Sequence, residues 1–186
     1  PGVARVTLVE IDRAVVDFAK EHFAAMNRAA FADPRLDVVI ADGRAFAAET
    51  DRRFDVVLVD STDPIGPGAV LFTAEFYRDL AHCLNAGGVV ATQNGVPFLQ
   101  PREFQMGLGN LKRVFADATA YVIAVPTYFG GHMTLGFAGT PAPRPDLDTL
   151  ERRSADLGLD TRYYTPEVHQ AAFALPRFIR DLRDGA

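Results

Sequence analysis

The sequence predicts an α/β fold built on a doubly wound, mainly parallel sheet. Short β-branched runs alternate with longer segments of helical period between residues 6 and 115, and this alternation is typical of doubly wound proteins. The strand runs are apolar at nearly every position, a pattern that favours parallel strands covered on both faces. The end of the chain adds two apolar runs close enough together to pair with each other.

The individual elements follow from the same patterns. Four apolar runs predict parallel strands: VTLVEI (6–11), LDVVIA (36–41), FDVVLVD (54–60) and GGVVATQ (87–93). Segments of helical period predict helices in VVDFAKEHFAAM, FYRDLAHCL and EFQMGLGNLKRVF. The final runs, 118–125 and 132–138, are joined by PTYFGG and predict an antiparallel pair. A sheet that ends in such a pair is Rossmann-like, of the methyltransferase type.

We expect one domain across residues 1–186, because a chain of this length with 48% hydrophobic residues supports one full core. The proline-rich segment TPAPRPD (140–146) predicts a connector, followed by a helix that ends near Gly158. A helical tail therefore begins at about residue 146, and its aromatic side chains predict that it packs against the domain.

Composition excludes several classes of function. The net charge is −5 and no basic run is present, so nucleic acid is not an expected partner. The single cysteine, Cys83, and four scattered histidines predict neither a disulfide nor a metal site. The sequence has no signal-peptide pattern and no run of about 18 apolar residues. We therefore expect a cytoplasmic protein with no membrane partner.

Acidic residues follow the predicted strands, at the edge where open α/β sheets bind ligands. Asp12 is interpreted as the N-cap of the helix that begins near Arg13. Glu10 ends its strand, and its position is equally consistent with binding the two hydroxyls of a ribose or with no ligand role. Asp42 and Gly43 suit an adenine base. A carboxylate can accept a hydrogen bond from the adenine amine, and a glycine lets the ring come close to the backbone. Asp42 also suits an N-cap, and the spacing does not separate the two roles.

Two further aspartates, Asp60 and Asp63, follow the third strand in VDSTDPIGP (59–67). Pro64 and Pro67 hold this loop extended, although Asp63 before a proline is also typical of an Asx-turn. Because no Lys or Arg lies nearby in the sequence, we expect these carboxylates to form a site for a cation.

Taken together, these residues resemble the spermidine synthase (polyamine aminopropyltransferase) family. The matching stretches span nearly the whole chain in family order: VTLVEID, DPRLDVVIADGRAF, FDVVLVDSTDPIGPGAVLF, FYRDLAHCLNAGGVVATQNG, PTYFGGHMTLGFA and, of bacterial type, RYYTPEVHQAAFALPRFI. The combination of D-S-T-D-P-x-G-P with P-T-Y-x-G-G is highly specific.

The resemblance implies transfer of an aminopropyl group from decarboxylated S-adenosylmethionine, a co-substrate, to putrescine. The products would be spermidine and methylthioadenosine, and no prosthetic group is implied. At the matching positions, Asp60 would be the catalytic acid-base residue, and Asp63, Gln93 and Tyr128 would bind the amine. The donor would be held by Glu10 at the ribose hydroxyls, by Asp42 and Gly43 at the adenine, and by Pro67 lining the adenine pocket.

The sequence departs from the family at its N-terminal end. The family's GGGDGG motif and its β-rich N-terminal domain have no counterpart here, so we expect a truncated, partial catalytic domain that could be an inactive fragment. Two alternatives stay open: an S-adenosylmethionine-dependent small-molecule methyltransferase and a non-catalytic remnant that binds polyamine. Unfilled strand edges would also predict a homo-oligomer, a dimer or higher, unless the sheet closes. A monomer in light scattering would exclude association.

Overall fold

The structure is a computed structural model that describes residues 2–129 and 131–185. The chain divides into two compact units, Pro1–Thr50 and Asp51–Ala186. Each unit has its own sheet, with two strands in the first and four in the second. The sequence predicts a single sheet, whereas the structure has two, in which β1 and β3 each pair with one strand only.

The first unit contains the two predicted strands and the predicted helical segment between them, together with one further helix for which Asp42 was only a possible N-cap. Its elements are β1 (Val6–Glu10), α1 (Arg13–His22), α2 (Ala24–Phe31), β2 (Leu36–Ile40) and α3 (Gly43–Glu49). The strands β1 and β2 are parallel, with Val6 opposite Leu36 and Glu10 opposite Ile40. Their carboxyl ends therefore lie side by side, which places the loops that follow them at the same edge.

The helix predicted in VVDFAKEHFAAM is in fact two helices, α1 and α2, interrupted at Phe23. Phe23 leaves the helical conformation, with φ −111° and ψ 22°. The Asn27 side chain then donates from Nδ2 to the Ala19 carbonyl at 2.9 Å. The Ala19 carbonyl also accepts from the Phe23 N–H at 3.0 Å, so the Asn27 side chain adds a second hydrogen bond that ties α2 to the end of α1 and stabilises the break.

The second unit carries the remaining elements. They are β3 (Phe54–Val59), a 3₁₀ helix (Gly66–Phe72), α4 (Ala74–Cys83), β4 (Leu84–Gln93), α5 (Pro101–Val114), β5 (Asp117–Ala124), β6 (His132–Gly139), α6 (Leu147–Leu157), α7 (Pro166–Ala172) and α8 (Arg177–Asp184). The strand order is β3-β4-β6-β5, with β3 parallel to β4 and β6 antiparallel to both of its neighbours. The predicted antiparallel pair is confirmed, whereas the 3₁₀ helix was not predicted.

The C-terminal helices pack onto the sheet as the sequence predicts. Leu175 and Ile179 are buried in one cluster with Phe104 and Leu108 of α5 and Ala120 of β5. Helix α6 ends at Gly158, which takes the left-handed φ of 58°, a conformation that glycine adopts without the steric cost of a Cβ. The tail is therefore part of the core of the second unit.

The expectation that the strands are covered on both faces is wrong for β1 and β3. Val6 and Leu8 are 46% and 38% exposed, and Val56 and Leu58 are 55% and 74% exposed. Both strands have a neighbour on one side only, and these side chains are partly accessible to solvent. Apolar residues in an edge strand of this kind are accessible to another chain or segment.

No helix in residues 2–129 and 131–185 is long and apolar enough to cross a membrane. The longest, α5, has 14 residues, whereas a helix that spans a bilayer needs about 20.

Candidate functional site

Glu10 and Asp42 lie at the carboxyl edge of the sheet in the first unit. Glu10 ends β1, and its Oε1 accepts a hydrogen bond of 2.9 Å from the Asp12 backbone N–H. Residue 41, at the end of the neighbouring β2, donates its N–H to the Glu10 carbonyl at 3.1 Å. Glu10 thus has a structural partner that the sequence did not reveal, and this partner fixes the carboxylate in one orientation.

Two aspartates of this unit cap helices. Asp12 accepts from the Ala14 N–H at 2.8 Å and begins α1, as predicted. Asp42 accepts from the N–H groups of Arg44 and Ala45 at 2.7 and 3.1 Å and begins α3. Both bonds to Asp42 end on the same oxygen, Oδ1. Capping therefore does not exclude a second role for Asp42, whose side chain is exposed, and Gly43 follows it as the first residue of α3.

Asp60 directly follows β3, and Gln93 is the last residue of the neighbouring parallel strand β4. Val59 lies opposite Thr92, so the two strands end at the same edge of the sheet. Asp60 is exposed, and among the described residues none donates a hydrogen bond to its carboxylate or pairs with it. Its two oxygens are free to contact a ligand from solvent.

Asp63 is held by two glutamines. Its Oδ1 accepts from Gln93 Nε2 at 2.9 Å, and its Oδ2 accepts from Gln100 Nε2 at 2.7 Å. Its backbone carbonyl also accepts from the Ile65 N–H at 2.6 Å. The Asp63 carboxylate is therefore fixed in position, and its contact with Gln93 brings together two residues that the sequence separates by 30 positions.

Gly68 allows the loop that carries Asp63 to pack against the 3₁₀ helix. A Cβ at this position would lie 2.5 Å from Thr62 Oγ1 and 2.9 Å from the Asp63 carbonyl oxygen. Any side chain at residue 68 would push the loop away, because heavy atoms do not approach so closely. Gly68, the second glycine of DPIGPG, thus has a steric role within the 3₁₀ helix.

No hydrogen bond in the described part of the chain joins Tyr128 or Pro67 to Asp60, Asp63 or Gln93. Tyr128 lies in the connection between β5 and β6, where its N–H donates to the Val125 carbonyl at 3.0 Å and its side chain is 54% exposed. Pro67 is exposed at the start of the 3₁₀ helix. The roles predicted for both residues stay predictions.

The negative charge of this site comes from Asp60 and Asp63. No ion pair among residues 2–129 and 131–185 includes either carboxylate.

Tyr77 is completely buried, and loss of solvent raises the pKa of its hydroxyl, so it stays neutral beside Thr92 of β4. In the same described residues no group of three or more His, Cys, Asp or Glu side chains could hold a metal ion.

Gln100 is a candidate site residue that the sequence did not reveal. It comes directly before Pro101 in the segment FLQPREF, which predicts only the start of a helix. Its contact with Asp63 spans 37 residues. No motif or local spacing signals such a contact, which depends on how the two loops fold together.

The fold and the acidic end of its strands define a class: a Rossmann-like α/β protein of the methyltransferase type with an anionic site. Two solved spermidine synthases share this fold. One, in complex with the transition state analogue AdoDATO, has a TM-score of 0.91 and 30% identity over 98% of this chain and 62% of that one. The other, from Thermotoga maritima, has a TM-score of 0.88 and 30% identity over 98% and 61%. The predicted fold class is confirmed.

Residues 1–147 match the spermine/spermidine synthase domain, and the chain belongs to that family. The polyamine aminopropyltransferase of Ruegeria sp. (strain TM1040) is 52% identical over 97% of this chain. Polyamine aminopropyltransferase 1 of Pseudomonas aeruginosa is 49% identical over 96%. The chain spans 64% and 63% of the length of these two relatives. The resemblance inferred from the motifs is confirmed.

Proposed function

We propose that this chain carries the catalytic residues of a polyamine aminopropyltransferase. The reaction is transfer of an aminopropyl group from decarboxylated S-adenosylmethionine to putrescine, giving spermidine and methylthioadenosine. The observation that carries the proposal is the arrangement of Asp60 and Asp63. Asp63 is oriented by two neutral amides, and neither carboxylate is neutralised by a described cationic side chain. Such a site favours a substrate that bears ammonium groups.

The donor nucleoside is assigned to the residues that the family resemblance names. In this proposal Glu10 holds the ribose hydroxyls, Asp42 accepts from the adenine amine, and Gly43 lets the base approach the backbone. The orientation of Glu10 by the Asp12 N–H supports the ribose role. The adenine role of Pro67 rests on the family resemblance alone and stays a prediction.

The acceptor amine must lose a proton before it attacks. An alkyl ammonium with a pKa of about 10.4 is neutral in roughly one molecule in two thousand at pH 7, which costs roughly 4 to 5 kcal/mol. The donor sulfonium needs no activation. A carbon–nitrogen bond forms, the carbon–sulfur bond breaks with its electrons going to sulfur, and the amine proton leaves. Asp60 orients the amine and receives or relays that proton, while Tyr128 positions the amine and Asp63 and Gln93 bind its other end.

A methyltransferase is the less favourable alternative. The donor of an ordinary methyltransferase keeps its methionine carboxylate, which requires hydrogen-bond donors or positive charge. The described site offers the carboxylates of Asp60 and Asp63, which would repel such a donor. The charge of the site therefore favours the decarboxylated donor.

Donor choice tests the proposal. The protein, expressed from its complete coding sequence, is incubated with putrescine and either decarboxylated or ordinary S-adenosylmethionine, and the nucleoside products are separated by chromatography. Methylthioadenosine and spermidine from the decarboxylated donor alone are the expected products. Methyl transfer from the ordinary donor would contradict the proposal, and no turnover with either donor would favour a polyamine-binding protein without catalysis.

A second prediction concerns the nucleoside. Asp42→Ala is expected to weaken binding of methylthioadenosine by roughly tenfold or more, since it removes a charged hydrogen-bond acceptor from the adenine. Isothermal titration of the protein with methylthioadenosine measures this change.

Asp12→Ala is the matched control for Asp42→Ala. Asp12 is also an N-cap aspartate, so its replacement costs a comparable amount of helix stability, about 1 kcal/mol. Binding should be unchanged in this variant. Equal weakening in both variants would show that Asp42 acts only as a cap.

The remaining expectations stay predictions. Self-association is supported by the exposed apolar side chains of β1 and β3, including Val56 and Leu58, and a cytoplasmic location is the expected setting for the proposed substrates.

A further inference from the structure

Gln100 holds the Asp63 carboxylate from a position that would otherwise cap a helix. It is the N-cap residue of α5, yet its side chain makes no capping hydrogen bond. Instead Nε2 donates to Asp63 Oδ2 at 2.7 Å, and Oε1 accepts from the Val96 N–H at 2.9 Å. Both ends of the amide are used, so the orientation of Gln100 is fixed.

The backbone at Gly95 supports this arrangement. Gly95 has φ of +74°, and a Cβ there would lie 2.8 Å from Gln100 Oε1. Only glycine combines that conformation with room for the Gln100 amide. The loop that follows β4 is therefore built around the Gln100 side chain.

The two glutamines orient Asp63 without neutralising it. A carboxylate has about four lone-pair sites, and Gln93 and Gln100 occupy one on each oxygen. An arginine or lysine in either place would also cancel the negative charge, whereas an amide does not. Asp63 thus keeps its charge and has acceptor capacity left for a cation.

Gln93 adds a second acceptor. It is 6% exposed, and since its Nε2 donates to a carboxylate, the remaining amide atom is the acceptor Oε1. This oxygen is buried and has no hydrogen-bond partner in the described part of the chain. A buried acceptor without a partner is unfavourable. An ammonium group, with three donors and no acceptor, satisfies it.

We propose that Gln100 is a positioning residue for the acceptor amine. Gln100 holds Asp63 beside Gln93, so that these two residues form a pair of acceptors for the non-reacting ammonium group of the diamine. This inference rests on the proposed function for the identity of the amine. Gln100 acts through Asp63 and is not itself a catalytic residue.

Two substitutions separate the contacts of Gln100. Gln100→Met keeps the length of the side chain and removes both hydrogen bonds. Gln100→Glu keeps an acceptor for the Val96 N–H, removes the donor to Asp63 and places a second negative charge beside that carboxylate, which it repels while ionised. Gln105→Met is the matched control, because Gln105 lies on the same helix and donates to the Leu182 carbonyl, with no described contact to Asp63.

Steady-state kinetics of the protein, expressed from its complete coding sequence, then tests the inference. Both Gln100 variants should raise the KM for putrescine by roughly 10- to 100-fold, as expected for a lost hydrogen bond to a charged group. Methylthioadenosine affinity should change by less than twofold, and Gln105→Met should match the wild type. In Gln100→Glu the defect should shrink, relative to wild type at the same pH, as the pH is lowered, since a protonated Glu can again donate to Asp63.

Other kinetic results would contradict the role of Gln100 or the proposed function. A putrescine KM within twofold of wild type in either folded Gln100 variant would overturn the inference. Parallel losses of putrescine and methylthioadenosine binding would overturn it too, because they indicate general disruption. If the wild type transfers no aminopropyl group, the proposed function fails. In that case the putrescine affinity of the wild type and of Gln100→Glu, measured by calorimetry, tests the role of Gln100. Equal affinities, or no binding by the wild type, would overturn the inference.

Discussion

Replacing Asp60 with Asn is expected to lower the kcat of aminopropyl transfer by roughly 10²- to 10⁴-fold, the range typical of a lost acid-base group. Asp60 directly follows β3 and has both carboxylate oxygens free of described partners, so the substitution removes its charge without breaking a hydrogen bond of the fold. Asparagine has the same shape and cannot accept the amine proton. Methylthioadenosine binding should be unchanged, because that ligand carries no reacting amine.

Asp55→Asn is the matched control for this prediction. Asp55 lies on β3, the strand that Asp60 follows, and it is exposed and accepts from Asn85 Nδ2 at 2.9 Å. The kcat of this variant, measured in the same steady-state assay with putrescine and the decarboxylated donor, should stay within twofold of wild type. A kcat for Asp60→Asn within tenfold of wild type would show that another group handles the proton.

Replacing Ile179 with Ala is expected to lower the free energy of unfolding by about 2 to 5 kcal/mol, the cost typical of truncating a buried aliphatic side chain. Ile179 is completely buried between α8 and α5, in the cluster that includes Phe104 and Leu175. The same pair of helices is joined by hydrogen bonds from Gln105 and Lys112 to carbonyl groups of α8. The cavity would therefore weaken attachment of the C-terminal tail to the second unit.

Urea unfolding followed by circular dichroism measures the change, with Phe178→Ala as the control. Phe178 is the preceding residue on α8 and is 40% exposed, so removal of its larger side chain should cost less than about 1 kcal/mol. A loss below about 1 kcal/mol for Ile179→Ala would mean that the tail does not contribute to the core.

The order of the elements could be predicted because it depends on local pattern. Apolar β-branched runs gave the strands within one or two residues, except that β4 begins three residues earlier, at Leu84. The N-cap role of Asp12 and the end of α6 at Gly158 followed from side chains and backbone preferences within one turn. The break at Phe23 could not be predicted in this way, because it is stabilised by a hydrogen bond between residues eight positions apart.

The sequence by itself determined the α/β class, the family, and the acidic residues that end the strands, because these depend on residue types, their period and their spacing. Tertiary structure alone decided which of those residues meet. It placed Gln93 and Gln100 on opposite oxygens of Asp63 across 30 and 37 residues, and it left Val56 and Leu58 exposed on an edge strand. Hydrogen bonds and burial of this kind depend on where separate segments lie in space, which no local pattern of residues encodes.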